Sequence, residues 1–591
     1  MADKTRKKQS LLGGAMVLML STFLVEVVGV VYKIPLTQII GTLGRGYTGT
    51  AFNIYIPVYN IAMAGLPVAI SKLVSQHLAE GKFNDVRRIF KVARNIFFLT
   101  GAVGTLVLVA LASPYCRSIS SPESLMSVYA IAPAVFVCCM MSTYRGYYSG
   151  LHNQTPQAVS EICEAVGKMV FGLVLSYLVT RHGFACFEAG EAVYGVVCAT
   201  REDAVLAMTP WAAAASITGV TMGAVCSLVF LMLRHAIIGD RITHSELEGA
   251  PTAQSAKALR KALLTVAIPI VVSTLVMNLT TLIDSWSIQF RLQHALDIDP
   301  NTIRDMYRAA LVGQEAMSNT DLKSYIYGAY EIALDFRNLI PAVTTSFGLS
   351  AIPVMSEAWT LQDHKLVKSS AESVVRLSML ISLPMGFGMA AVAQPLLVML
   401  YGPSDSVTIT APIMAMYGVL AFVMAVSQPV INMLQGIGRA DIPMKSLTIA
   451  AVVKIVVNFV LVGIPQINIK GAVIGTIAFF GVALGINLVC LLRITHVRMN
   501  FVSVFFKPLI CTIICAASAW GSNRLFLRLL PSFGEGRVSS DSLACVLAIL
   551  AAVIVYVIAL LLTRSIAADD VKMLPKGEKI CKTLEKFGFI R

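Results

Sequence analysis

The chain has 591 residues, of which 56% are hydrophobic and only 14% are charged, and its formal net charge is +14. An ordinary soluble domain has about 25% charged residues, so the composition excludes a soluble protein and indicates a polytopic membrane protein.

Near-continuous apolar runs of about 20 residues, the length that a bilayer requires of a helix, recur along the whole chain. We predict fourteen spans and an all-α polytopic fold. In chain order, the spans lie near residues 11–38, 52–78, 95–113, 125–149, 155–180, 208–233, 262–290, 325–356, 372–400, 408–434, 443–464, 468–495, 503–528 and 541–563.

The first apolar run follows Lys4, Arg6, Lys7 and Lys8, as a secretory signal would. However, it is too long for a signal, contains Glu26 and lacks a small-residue cleavage site, so we interpret it as a retained helix.

Basic residues of short loops stay preferentially in the cytoplasm. Comparing the basic residues on alternate sides places both termini in the cytoplasm.

Two basic segments account for much of the positive charge: the loop at 82–94 and the C-terminal tail from Lys572 onward. We expect both to face the anionic lipids of the cytoplasmic leaflet. The net charge therefore requires no nucleic-acid partner.

The sequence lacks a GxxxxGK[ST] loop and an HExxH motif, so we expect no ATP site, no metal, no cofactor and no enzymatic activity. Most of the 12 cysteines lie inside predicted spans, and none has a metal-binding spacing. Cys186 and Cys198 share one predicted outer loop, where a disulfide is an alternative to two free thiols.

Two stretches in different halves of the chain resemble each other. GLHNQTPQAVSEICEAVGK runs from Gly150 to Lys168, and GIGRADIPMKSLTIAAVVK runs from Gly436 to Lys454. Each has a glycine, a polar turn, a proline and a lysine at the same distance from the glycine. Such repeats are typical of transporters with a binding site at the repeat interface. We predict an N-lobe at 1–250, a C-lobe at 251–500, and two further helices with the tail at 501–591.

Several runs carry a family resemblance: VVYKIPLTQIIGTLGRGYTGTAFNIYIPVYNIAMAGLPVAISKLVS, SGLHNQTPQAVSEICEAVGK, LIDSW and YGAYEIALDFRNLIPAVTTSFGLSAIPVMSE. They resemble the polysaccharide-transporter branch of the multidrug/oligosaccharidyl-lipid/polysaccharide exporter superfamily, and most of all its MurJ-type and stage V sporulation protein B-like flippases. The resemblance implies alternating access for an undecaprenyl-linked cell-wall precursor, which is lipid II for MurJ-type members. It also implies that the last two helices form a groove for the polyprenyl tail, whereas drug antiporters usually stop at twelve helices.

The chain departs from the family at one point that concerns the substrate. The MurJ proteins of Gram-negative bacteria carry arginines and an Arg-Asp pair in the first two helices. Here the corresponding region has Glu26, Lys33 and Lys72. We therefore assign no residue of this chain to the role of those arginines, and the identity of the substrate's head group stays open.

Charges at membrane depth are costly, so each is a candidate functional residue. Lys168 and Lys454 follow their prolines by about 16–18 Å of helix, which places both near mid-bilayer. We expect them to bind the two phosphates of a pyrophosphate-linked head group, with Lys33 and Arg337 adding to the same cationic cavity.

Each of these residues also has an alternative interpretation. Glu164 is placed to neutralise Lys168 at i,i+4, and Lys33 and Lys72 are able to snorkel to head groups. Four carboxylates either bind a coupling cation or balance the lysines: Glu26, Asp284, Glu331 and Asp335. Gly471-xxx-Gly475 and Gly481-xxx-Gly485 predict close helix packing.

The leading function is therefore a lipid-linked precursor flippase of the bacterial cytoplasmic membrane. One alternative is a flippase for a different lipid-linked oligosaccharide, such as a capsule, teichoic or exopolysaccharide precursor. The other is a cation-coupled multidrug antiporter, in which the carboxylates would carry the coupling.

Overall fold

The computed structural model describes residues 11–63, 65–312, 317–404, 406–497, 499–530, 539–563 and 565. In these ranges the regular secondary structure is helical, apart from a bridge between Val193 and Val196. The predicted all-α class is confirmed. The basic C-terminal tail lies outside the described residues.

The chain divides into two compact units. Unit 1 consists of Met1–Phe290 together with Thr320–Gly328, and unit 2 consists of Arg291–Asn319 together with Ala329–Arg591. The lobes predicted at 1–250 and 251–500 remain a prediction, because a division by compactness does not define sequence repeats.

Unit 1 contains helices of very different lengths, joined mostly by short turns. They are α1 (Leu11–Met63), α2 (Leu66–Ala79), α3 (Phe83–Ser118), α4 (Leu125–Gly150), α5 (Thr155–Glu188), α6 (Arg201–Ile238), α7 (His244–Glu248) and α8 (Ala256–Ile298), whose last turns belong to unit 2.

Two glycines divide the first 68 described positions of this unit into three helical segments. Gly41 interrupts α1 with a φ of 67°, and Gly65 separates α1 from α2 with a φ of 73°. Glycine adopts this left-handed conformation without the steric cost that a Cβ imposes. The second predicted span, at 52–78, is therefore broken at Gly65.

The helices of unit 2 likewise differ in length and are joined mostly by short connections. They are α9 (Pro300–Met306), α10 (Asn319–Thr360, which begins in unit 1), α11 (His364–Ala391), α12 (Ala393–Tyr401), α13 (Val407–Gly436), α14 (Asp441–Leu461), α15 (Lys470–Thr495), α16 (Lys507–Leu529) and α17 (Ser540–Thr563).

Eleven stretches of the described residues are long and apolar enough to span a membrane. One of them is Leu20–Ala79, which joins α1 and α2 across Gly65. The helices α8 and α10, which overlap predicted spans at 262–290 and 325–356, are not among the eleven. The protein is a multi-pass membrane protein, and the count of fourteen stays a prediction.

A buried carboxylate ties three parts of unit 1 together where α6 ends. Asp240 accepts hydrogen bonds from Arg87 at 2.8 and 3.0 Å and from the Tyr147 hydroxyl at 3.0 Å. Burial acts to raise the pKa of Asp240, but the hydrogen bonds from Arg87, the Ile242 amide and Tyr147, with the charge of Arg87, hold it below its ordinary value. The charged carboxylate thus links α3, α4 and the segment after α6.

The first turns of α10 pack against α1 within unit 1. A Cβ on Gly328 would overlap the Thr42 carbonyl oxygen, and one on Gly46 would overlap the Ser324 carbonyl oxygen. Beside this contact, the Tyr47 hydroxyl donates to Asp321 at 3.0 Å. The two backbones approach this closely only because both glycines lack a side chain.

We predict that Gly328→Ala destabilises the protein by about 1–3 kcal/mol, because the new methyl group displaces the α1 backbone. The matched control is Gly481→Ala in α15, where a Cβ meets nothing within 4 Å. Thermal unfolding of the detergent-purified proteins measures both. Equal melting temperatures for Gly328→Ala and the unsubstituted protein would contradict the packing argument.

Candidate functional site

Lys168 lies on α5, where two aromatic rings of α1 surround its ammonium group. Its Nζ is 5.4 Å from the centroid of the Tyr32 ring and 5.2 Å from that of the Phe52 ring. Both distances are within the range of a cation–π interaction, which stabilises a cation with little water around it. The rings therefore stabilise the Lys168 ammonium between α1 and α5 without neutralising its charge.

Glycines fix the turn of α5 that carries Lys168. A Cβ on Gly223 of α6 would lie 2.5 Å from the Glu164 carbonyl oxygen and 2.6 Å from the Lys168 amide nitrogen. One turn away, a Cβ on Gly219 would overlap the backbone of Gly172. Gly219-xxx-Gly223 is therefore the small-residue motif that places Lys168, and its spacing was visible in the sequence.

Glu164, which the sequence placed beside Lys168, forms its ion pair with a different residue. The Arg145 Nη2 lies 2.8 Å from the Glu164 Oε2, with side chains 15% and 31% exposed. Arg145 also donates to Ser160 at 2.8 Å and to Ser227 at 3.3 Å. Glu164 therefore has an ion-pair partner on α4, and its neutralisation of Lys168 stays an alternative.

Glu161 and the two candidates on α1 occupy different environments. Glu161 accepts hydrogen bonds from Ser21 and from Gln157, each at 3.0 Å, and thereby connects α5 to α1. Glu26 is exposed and Lys33 is partly exposed.

In unit 2, Lys454 lies partly buried on α14. A Cβ on Gly475 of α15 would overlap the Asn458 side chain and lie 3.3 Å from the Lys454 carbonyl oxygen. In each unit, therefore, a glycine of the following helix packs against the backbone of the lysine turn. The predicted close packing at Gly481-xxx-Gly485 is wrong, because a Cβ on either glycine meets nothing within 4 Å.

Arg337 lies on α10 against a pair of buried tyrosines. Its guanidinium carbon is 5.4 Å from the centroid of the Tyr417 ring, and the Tyr417 hydroxyl donates to that of Tyr330 at 3.2 Å. Arg337 also donates to the Asn338 side chain at 3.2 and 3.1 Å. Tyr417 thus supports Arg337 as the α1 rings support Lys168.

The remaining candidate carboxylates are distributed over both units. Asp284 on α8 is 8% exposed in unit 1, while Glu331 and Asp335 lie one turn apart on α10 in unit 2 and are partly buried. Within the described ranges, His, Cys, Asp and Glu side chains form no group of three or more that is suited to a metal ion. Cys186 and Cys198 are free thiols, so they do not form the disulfide considered for them.

Sequence reasoning missed four cations with little exposure. They are Arg45 on α1 (8% exposed), Arg376 on α11 (7% exposed), Lys323 on α10 (0% exposed) and Arg145 on α4, whose side chain is 15% exposed. Lys323 donates from its Nζ to the carbonyl oxygens of Ile119 and Ser120 at 2.5 and 3.1 Å. Arg145 and Arg376 stand inside predicted apolar runs, at 125–149 and 372–400, so their charge alone was a signal that pointed to them.

Two family descriptions match different halves of the chain. Residues 11–189 match the family described as Polysaccharide biosynthesis protein. Residues 322–460 match the family described as MatE.

Three proteins of Bacillus subtilis (strain 168) are similar over most of their length. Lipid II flippase MurJ is 24% identical over 79% of this chain and 79% of its own. Stage V sporulation protein B is 23% identical over 96% of this chain and 98% of its own. Uncharacterized membrane protein YabM is 24% identical over 97% of this chain and 96% of its own.

Solved structures of two transporter types share the fold. Lipid II flippase MurJ in an inward closed conformation has a TM-score of 0.56 at 14% identity, and covers 92% of this chain and 98% of its own. An inward-facing multidrug resistance MATE family transporter of the MOP superfamily has a TM-score of 0.55 at 14% identity, and covers 79% of this chain and 98% of its own.

We predict that Glu164→Ala destabilises unit 1, because it leaves the Arg145 charge without its carboxylate. The loss for a fully buried pair is several kcal/mol, and the partial exposure of Glu164 reduces it to about 1–2 kcal/mol. Thermal unfolding in detergent measures the loss. The double variant Arg145→Met/Glu164→Ala should recover part of it.

The matched control for this ion pair is Glu80→Ala. Glu80 pairs with Lys82 at 2.7 Å, but both side chains are exposed. Its substitution should leave the melting temperature within experimental error. An equal effect of Glu80→Ala and Glu164→Ala would contradict a specific role for the Arg145–Glu164 pair.

Proposed function

Because this chain belongs to the multidrug/oligosaccharidyl-lipid/polysaccharide exporter superfamily, we propose that it is a flippase for an undecaprenyl-pyrophosphate-linked cell-wall precursor. The leading substrate is lipid II, moved by alternating access across the bacterial cytoplasmic membrane. In this proposal both termini are cytoplasmic, and the chain is a transporter and not an enzyme.

The aromatic support of the Lys168 ammonium is the observation that carries this proposal. An ammonium at membrane depth costs about 2.5–3.5 kcal/mol on insertion scales, and the rings of Tyr32 and Phe52 offset part of that cost. The rings keep the Lys168 ammonium positively charged, and we propose that this charge attracts an anion of the substrate.

Lys454 is the proposed counterpart of Lys168 in unit 2. Two ammonium groups suit a pyrophosphate, because each forms charge-assisted hydrogen bonds with one phosphate. Lys33 and Arg337 are proposed to add positive charge, and the planar guanidinium of Arg337 is able to bind phosphate in a bidentate manner.

The helices α16 and α17 are the part of the chain that we propose to contact a long lipid tail. They pack against α11 and α12 through a buried cluster that includes Cys515, Cys545 and Leu380. The Tyr556 hydroxyl donates to the Leu380 carbonyl oxygen at 2.7 Å, which fixes α17 to α11. We propose that these two helices bind the polyprenyl chain while the lysines bind the head group.

The proposed energy source is the membrane potential or an ion gradient, because the sequence lacks a nucleotide-binding loop. Carboxylates at membrane depth commonly serve proton or sodium coupling. The proposed coupling residues are Glu26, Asp284, Glu331 and Asp335, of which Asp284 is the most buried.

A cation-coupled drug antiporter is the second candidate function, and the MatE match over residues 322–460 is the observation that favours it. In that case the four carboxylates would dominate transport, and α16 and α17 would be dispensable. A flippase for a different lipid-linked oligosaccharide would use the same lysines and differ in the sugar that it accepts.

We predict that Lys168→Ala and Lys454→Ala each reduce lipid II translocation at least about tenfold, because each removes a charge-assisted hydrogen bond to phosphate. Lys168→Arg and Lys454→Arg should retain most activity. The measurement is the initial rate of translocation in proteoliposomes. Lys91→Ala, which removes an exposed lysine of α3, is the control and should match the unsubstituted protein.

Full translocation by both alanine variants would overturn the phosphate-binding role of the two lysines. Because translocation itself would persist, the same result would not contradict the assignment as a flippase.

We also predict that lipid II moves when a membrane potential or an ion gradient is imposed, and moves slowly without one, because the proposed transporter has no chemical fuel. Parallel assays with a teichoic-acid precursor and with a cationic dye compare the three candidate substrate classes. Export of the dye alone under every gradient would favour the antiporter and contradict the flippase.

A further inference from the structure

A cavity of about 590 Å³ lies in unit 1, separate from the Lys168 side chain. Its lining comes from the end of α1, from α2, from α4 and from the first turns of α5. Among the eleven lining residues two are basic and none is acidic. They are Met63, Pro67, Val68, Ser71, Lys72, Ser75, Ser142, Arg145, Gly146, Ser149 and Gln157.

Two helices present matching stripes to this cavity. On α2 the lining positions are 68, 71, 72 and 75, and on α4 they are 142, 145, 146 and 149. Both sets have the spacing i, i+3, i+4, i+7, which places each set on one face of its helix. Each stripe offers a basic side chain beside serine hydroxyls.

The two helices are held close together beside the cavity. A Cβ on Gly146 would lie 3.0 Å from the Pro67 carbonyl oxygen, and one on Gly150 would lie 2.7 Å from the Val74 Cβ. A hydrogen bond of 3.3 Å joins Ser71 to Ser149 across the gap. The spacing of the two stripes is therefore set by backbone packing and not by a ligand.

The two cations of the cavity differ in how they are held. Arg145 is fixed by Glu164, Ser160 and Ser227, so that its guanidinium has one defined position. Lys72 is exposed, and within the described residues it has no ion-pair partner. Because the Arg145 charge is balanced by Glu164, Lys72 gives the cavity a net positive charge.

The lining is also amphipathic. Met63, Pro67 and Val68 form an apolar part, and the serines with Gln157 form a polar part. Val68 is 59% exposed although it is hydrophobic. A free inorganic anion would use only the polar part, whereas an anionic lipid would use both.

We propose that this cavity binds the phosphate of a lipid head group, with Lys72 and Arg145 as its charged contacts and the serine hydroxyls as additional donors. Lys72 is then a binding residue, in place of a lysine that merely snorkels to the membrane surface. The cavity's role as a first binding position for the transported substrate rests on the proposed function, but the binding itself does not.

The phosphate has two potential sources, a membrane phospholipid and the lipid-linked substrate. Native mass spectrometry of the full-length protein distinguishes them through three probes: undecaprenyl pyrophosphate, phosphatidylglycerol and undecaprenol. Undecaprenol has the same tail as the first probe but lacks phosphate. Its binding should be unaffected by Lys72→Ala and Lys72→Arg.

Lys72→Ala should weaken the binding of a phosphate-bearing probe about five- to tenfold, because it removes one charge-assisted contact. Val68→Glu should have a similar effect, since a carboxylate four residues before Lys72 neutralises it while supporting the helix. Lys72→Arg should retain binding. Lys91→Ala is the matched control, because it removes the same charge from an exposed position of unit 1 outside the cavity.

A loss for undecaprenyl pyrophosphate alone supports the substrate as the source of the phosphate. A loss for both phosphate-bearing probes supports a general site for anionic lipids. Unchanged binding of both probes to Lys72→Ala and Val68→Glu would overturn the proposed site. To separate this site from the proposed transport site, Lys72→Ala is also introduced into Lys168→Ala, where it should weaken binding further.

Discussion

The cost of placing charge among apolar helices governs the arrangement of this protein. A charged side chain at membrane depth is stable only where neighbouring helices supply a counter-charge, a hydrogen-bond acceptor or a polarisable ring. Unit 1 uses all three. Arg145 has a carboxylate, Lys323 has two carbonyl oxygens, and Lys168 has two aromatic rings.

These three kinds of support have different consequences for function. A carboxylate cancels the charge that it stabilises, and carbonyl oxygens occupy the donors of an ammonium group. An aromatic ring stabilises a cation through its quadrupole, and leaves the charge in place for an incoming anion. We therefore propose Lys168 as a ligand contact, whereas the charge of Arg145 is balanced by Glu164 and Lys323 donates to backbone carbonyl oxygens. Lys72 in the α2–α4 cavity has yet another environment, because it is exposed and lies beside serine hydroxyls.

Close helix contacts at glycines give these charges their positions. Gly223 packs against the turn of Lys168, and Gly475 packs against the turn of Lys454. Gly146 and Gly150 do the same for the helix that carries Lys72. Without a strong hydrophobic force between helices in lipid, such contacts are a main determinant of helix spacing. The repeated use of glycine beside a lysine turn agrees with the sequence similarity between the two halves of the chain.

Much of the fold could be predicted from the sequence, because a membrane helix is a local feature with its own hydrogen bonds. Each predicted apolar run overlaps a helix, and the similarity of the Lys168 and Lys454 segments is visible in their residues. The error concerns a feature that depends on neighbours. Spacing alone predicted close packing at Gly481 and Gly485, and it left open a disulfide between Cys186 and Cys198, which are free thiols.

The sequence by itself determined that this is an all-α membrane protein with charges inside its apolar runs, because composition and helix length are properties of the chain. Only the tertiary structure decided which charges are cancelled. Arg145 comes from a different helix than Glu164, and Tyr32 and Phe52 come from a different helix than Lys168. A carboxylate within reach of two cations pairs with the one whose helix lies at the right distance, and that distance is set by packing between helices far apart in the sequence.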